Sequence, residues 1–190
     1  MARAYVDPET AEPQTLDEIL HWHGGIVDAL REQLASVQNA IRRGSAVSPR
    51  FATMTEAEVE LVHDAQRLEL DRLTVFNLVA SVEAAIRIDY FRRVSRKLRD
   101  PLALVYRRWN KTLSKKKKKR PNFDQGGILE ILKNSNLIDN NLIGRYRECL
   151  KARHWVGHGR YWARPDAEDG LDPSIVYIRA HALLRALPNR

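Results

Sequence analysis

From Thr55 to Asp100 the chain contains neither glycine nor proline, and its apolar residues recur three and four positions apart. That spacing places Leu61, Ala65, Leu68, Phe76, Val79, Ile86 and Tyr90 on or near one stripe of a single long helix. Its start is marked by Thr55 with Glu58 three residues on, a capping-box pair, and it is expected to run past Val94 toward Asp100. A similar pair, Thr15 and Glu18, opens an earlier helix predicted to reach Arg43, with Leu16, Ile19, Leu20, Ile26, Val27, Leu30, Leu34, Val37 and Ile41 at helical spacing. Gly44 to Arg50 is then a turn. Two long helices joined by so short a loop must run antiparallel.

The remaining segments are shorter and also helical. Leu102 to Leu113 is predicted to fray into Lys115 to Arg120, and Ile128 to Leu132 follows the Gly126-Gly127 pair. From Asp139, the positions of Leu142, Ile143, Tyr146, Cys149 and Leu150 mark an amphipathic helix, and Asp172 before Pro173 caps a last one to Leu187. Only Ile175 to Ile178 is β-branched enough to suggest a strand, and it lies inside that capped pattern. All eight prolines fall between or at the ends of these segments. The expected fold is all-α: an up-down helical bundle with two long antiparallel helices plus shorter C-terminal helices. Residues 1–14 read as an N-terminal extension and residues 15–190 as a single domain with a basic loop at 114–122, which suits a chain of 190 residues.

Charge is unevenly spread. The net +8 divides into 13 Lys and Arg against 16 Asp and Glu up to residue 100, and 19 against 8 after it. A basic half of this kind favours a polyanion or an acidic surface as partner. One cysteine, Cys149, excludes a disulfide framework and a Cys-rich zinc site. Met1 to Pro13 lacks the apolar core of a signal peptide, and Val75 to Ile88 is too short and too polar to span a bilayer, so a cytoplasmic protein with no membrane association is expected. No phosphate-binding glycine loop, serine elbow or metal-ligand spacing is present, and no cofactor or metal is called for.

Functional residue types concentrate in Arg153-His154-Trp155-Val156-Gly157-His158-Gly159-Arg160-Tyr161-Trp162. One reading is a helix end, with Gly157 and Gly159 stopping the helix and His158 and Arg160 answering its dipole. The other is a site. Arg153 extends the stripe of Leu142, Tyr146 and Cys149, an expensive place for a cation without an anion. His158 is five residues on, about 140° around a continuous helix, so the pair meets one ligand if the helix bends, and Gly157 permits a bend.

Two further groups stand out. Glu83 lies on the apolar stripe of the long helix and needs a cation; Arg87 can supply one from the same helix, or Glu83 can reach Arg153 or His158 across the bundle. The run Lys115, Lys116, Lys117, Lys118, Lys119 and Arg120 reads as a solvated loop, equally able to lay down phosphate contacts together with Arg107, Arg108 and Lys111. Docking on anionic lipid is a weaker use, lacking an adjacent apolar anchor. His23, beside Trp22 on the first stripe, reads as a hydrogen-bonded core histidine.

The Arg153, His154 and His158 group resembles the Arg-x4-to-6-His motif of the HEPN superfamily, in which a polar residue follows the arginine. The motif match covers residues 153–158, and the all-α architecture matches from about Thr15 to Leu187. The resemblance implies a metal-independent endoribonuclease that cleaves RNA by 2′-hydroxyl attack to leave a 2′,3′-cyclic phosphate. It assigns catalysis to Arg153 and His158 with His154; independently of it, Glu83, Arg87, Arg160 and Tyr161 are candidate supporting residues. It also implies a homodimer forming a composite site, and a setting in toxin–antitoxin, antiphage or RNA-processing systems with an antitoxin protein as a further partner. The competing expectation is a non-catalytic helical module that binds RNA, nucleotides or an acidic protein.

Overall fold

The computed structural model describes residues 14–158 and 172–188. Among these residues every regular element is helical: α1 (Leu16–Arg42), a 3-10 turn (Pro49–Phe51), α2 (Glu56–Ser95), α3 (Pro101–Thr112), α4 (Lys115–Lys119), α5 (Ile128–Asn134), α6 (Asn140–Gly157) and α7 (Pro173–Arg185). Local chemistry sets the boundaries. Thr15 and Thr55 each accept from the third residue of their helix, while Glu18 and Glu58 reach back to the cap amides. Asp100 and Asp172 cap α3 and α7, and each helix starts on a proline.

α1 and α2 pair antiparallel, as three cross-links along their length show. Ser81 Oγ donates to the Gln14 carbonyl, His23 Nε2 lies 2.6 Å from Asp71, and Arg42 bonds Glu56 at 2.8 Å. His23 is thus a half-buried, hydrogen-bonded histidine. α6 and α7 pack on the C-terminal half of α2, where Val75, Leu78, Val79, Val82, Ile86 and Tyr90 are fully buried, and α3 and α5 close the same core. Tyr90 packs edge-on against Tyr106 and Trp109, and its hydroxyl donates to Asn110.

Three expectations change. The α2 stripe is not buried throughout: Leu61 and Leu68 are 68% and 43% exposed, as is Ile26 of α1 at 38%, and α6 ends opposite Arg72 and Phe76. α2 stops at Ser95, short of Asp100, and Lys97 takes a positive φ of 52°. The break frees the Asp100 carboxylate to cap α3 and to accept from Arg93. Lys115 to Lys119 form one helical turn in place of a loop, started by Ser114, whose hydroxyl accepts from the Lys117 amide; all six basic side chains through Arg120 are exposed, which keeps their charges solvated.

Arg93, only 2% exposed, joins three elements. It donates to Asp89 at 2.7 Å, to Asp100, and to the Pro188 carbonyl after α7. Burial works against its charge, but Asp89 and Asp100 outweigh it and hold its pKa above the usual guanidinium value. Substituting Arg93→Leu strands two carboxylates and is expected to lower stability by about 3–5 kcal/mol in denaturant unfolding. A loss below about 1 kcal/mol would contradict this role.

Candidate functional site

α6 carries the motif, and its buried face fixes how the motif is presented. Asp139 caps the helix, and Ile143, Tyr146, Cys149, Leu150, Ala152 and Trp155 turn inward. The Tyr146 hydroxyl donates to the Val79 carbonyl at 2.9 Å, pinning α6 to α2. Burial, reinforced by the nearby Glu83 carboxylate, pushes that phenol well above its ordinary range. Burial also pushes the Cys149 thiol up, so Cys149 has the character of a packed thiol and not of a nucleophile. At the helix end Trp155 packs beneath the Arg72 guanidinium, 5.5 Å from ring centroid to carbon.

Arg153 leaves α6 toward α2 and meets two groups there. Its guanidinium carbon lies 5.5 Å from the Phe76 ring centroid, and Nη1 is 3.4 Å from Glu83 Oε2. The other Glu83 oxygen takes Arg87 Nε at 2.9 Å and Nη2 at 2.8 Å. Of the expected partners of Glu83, Arg87 and Arg153 are therefore engaged at once. Arg87 in turn donates from Nη1 to the Pro121 carbonyl at 2.8 Å and covers the Phe123 ring. A chain of polar contacts thus runs from Pro121, directly after the basic run, through Arg87 and Glu83 to Arg153.

His154 and His158 are exposed, with ring centroids 6.0 Å apart and planes near perpendicular. Together with Phe76, Arg153 and Gly157 they line an open depression of about 200 Å³. The expected bend at Gly157 does not occur. α6 runs unbroken through Gly157, and the His158 amide closes onto the His154 carbonyl at 3.0 Å. What unites Arg153 with His158 is the missing side chain between them. A Cβ on Gly157 would stand 3.1 Å from Phe76 Cε2, so the glycine lets the Phe76 ring come in under Arg153 and leaves the space above it open.

Arg160 and Tyr161 lie outside the described residues. The sequence reading missed Phe76 as a site residue, although its place on the stripe facing Arg153 was a usable signal. It also missed Arg147, which donates to Asp124 at 2.8 Å and Glu130 at 2.6 Å and holds Glu130 below the usual carboxylate range. Only folding brings those three together. No family model, curated protein or solved structure matches the chain.

The close fit at Gly157 is open to test. Gly157→Ala gains up to about 1 kcal/mol of helix propensity while crowding the ring. Thermal stability is expected to hold, and the NMR signals of the Phe76 ring and the Arg153 side chain to shift. Unchanged signals for both would contradict the packing.

Proposed function

We propose that this chain is a HEPN-type endoribonuclease that cleaves RNA without a metal ion. The observation that carries the reading is the shared depression: Arg153, His154 and His158 line it, both imidazoles are open to solvent, and Arg153 is braced from behind by Glu83 and Phe76. A histidine side chain can exchange protons near neutrality, and a guanidinium complements the charge on phosphoryl oxygens.

In the mechanism His158 takes the proton of a 2′-hydroxyl, and that oxygen bonds to the adjacent phosphorus as the bond from phosphorus to the 5′ oxygen breaks. The leaving oxygen receives a proton from His154, the nearer of the two imidazoles to the Arg147 end of α6. Arg153 pairs with a non-bridging oxygen while charge builds there. The products are a 2′,3′-cyclic phosphate and a 5′-hydroxyl. Glu83 acts through Arg153, setting its position and leaving the three-residue group with Arg87 at a net charge of +1.

The basic run supplies the approach of the substrate. Lys115 to Arg120 are exposed and end at Pro121, two side chains from Arg153 along the polar chain. They bind phosphates without reading bases, so affinity falls steeply with salt. A second copy of the chain completes the site, and exposed Leu61 and Leu68, which share a stripe with Phe76, support such pairing. An antitoxin protein covering the same face fits this setting.

The test is incubation of wild type and His158→Ala with mixed RNA in EDTA. Wild type is expected to cleave, and the variant to lose at least about 100-fold. Cleavage by both or by neither overturns the assignment, and a metal requirement overturns the mechanism. Glu83→Gln is expected to remain folded and cleave about tenfold more slowly, as a misplaced Arg153 implies; full activity would remove Glu83 from the site.

A further inference from the structure

Arg147, Lys151, His154 and His158 follow one another at i, i+4, i+7 and i+11, a single stripe along α6. His154 lines two depressions on this stripe. One is the candidate site, and the other, of about 530 Å³, is lined by Asp124, Gln125, Arg147, Leu150, Lys151 and His154. From His154 to Arg147 the helix rises about 10 Å, close to the reach from a phosphate to the base of a neighbouring nucleotide.

We infer that this second depression is a nucleobase subsite, which receives the base beside the scissile phosphate and prefers bases carrying an exocyclic amino group over uracil. The inference takes its substrate class from the ribonuclease reading. A second phosphate is a poor occupant, because the cations there are already engaged. Arg147 is bound by Asp124 and Glu130, and Lys151 Nζ lies 3.0 Å from both oxygens of Glu148. Asp124, Glu130 and Glu148 thus occupy both lining cations, which leaves little to draw an anion and suits a neutral, polar ring.

The lining matches such a ring. Leu150, 3% exposed, gives an apolar floor, and the His154 imidazole gives a face for stacking. Asp124 offers an acceptor for an amino group, and the exposed Gln125 amide offers both a donor and an acceptor. Uracil has no amino group to give Asp124.

The turn holding these two residues is restrained by its own backbone. The Gly127 amide donates to the Asp124 carbonyl at 2.9 Å, Gly126 takes a φ of 61°, and a Cβ on Gly127 would fall 2.2 Å from the Asn122 carbonyl oxygen. Arg147 ties Asp124 down to α6 from the other side. Asp124 and Gln125 are therefore presented on a preorganised edge.

The experiment uses 2′-O-methyl uridine tetramers, which cannot be cut, with a single adenine, cytosine or guanine at each position in turn. For wild type, one position is expected to bind an amino-bearing base at least about fivefold more tightly than uracil. In Gln125→Ala and Asp124→Asn the preference is expected to fall within about twofold. Equal binding of all bases, no binding, or a preference that survives in both variants overturns the inference. Because the probes are inert to cleavage, these outcomes are separate from the fate of the ribonuclease reading, which the EDTA assay decides.

Discussion

The Glu83 carboxylate joins α2, α6 and the segment that follows the basic run. It stands on α2, largely sheltered from water, between two guanidinium groups that come from different directions. Arg87 rises from the same helix and carries the contact to the backbone at Pro121. Arg153 arrives from α6. A carboxylate in this position is costly unless its oxygens are engaged, and a cation on the inner face of α6 is costly for the same reason. Each offsets part of the other's cost, and the result is an arginine whose guanidinium is held over Phe76 at the rim of an open depression.

Much of the fold was legible because its signals are local. Capping pairs such as Thr15 with Glu18 and Thr55 with Glu58, and the Asp-Pro starts at Asp100 and Asp172, act within a single helical turn, so they can be read without knowing the tertiary structure. Periodicity shows that a stripe exists but not how far its partner extends. Leu61 and Leu68 continue the pattern of Phe76 and yet remain exposed, since α6 stops before it reaches them. The end of α2 escaped the reading for a related reason. A long uninterrupted pattern favours continuation, whereas the competing demand on Asp100 from α3 and Arg93 is tertiary.

In the candidate site, the sequence singled out Arg153, His154, His158 and Glu83, but not the geometry that brings them together. Spacing alone puts Arg153 and His158 on different faces of α6 and calls for a bend. The chain instead uses an unbroken helix, a long side chain and an absent one: Arg153 reaches round, while Gly157 admits Phe76 from α2. The Arg147 cluster with Asp124 and Glu130 spans three separate elements and has no local signature. The excess positive charge of the second half is likewise more structured than its sum implies. Arg147, Lys151 and Arg153 on α6 are each paired with a carboxylate, while the six exposed cations of the run end beside the Arg87–Glu83–Arg153 chain.

The central claim is that a 2′-hydroxyl, not water, attacks the phosphorus in the depression lined by Arg153, His154 and His158. The most direct measurement is mass spectrometry of the end groups formed from a defined RNA in EDTA, alongside the same RNA with a single 2′-deoxynucleotide 5′ to the cleaved bond. The expected result is a 2′,3′-cyclic phosphate at every cut and loss of cleavage at the deoxy position alone. Cleavage at that position, or products ending in a 3′-hydroxyl and a 5′-phosphate, would contradict the account.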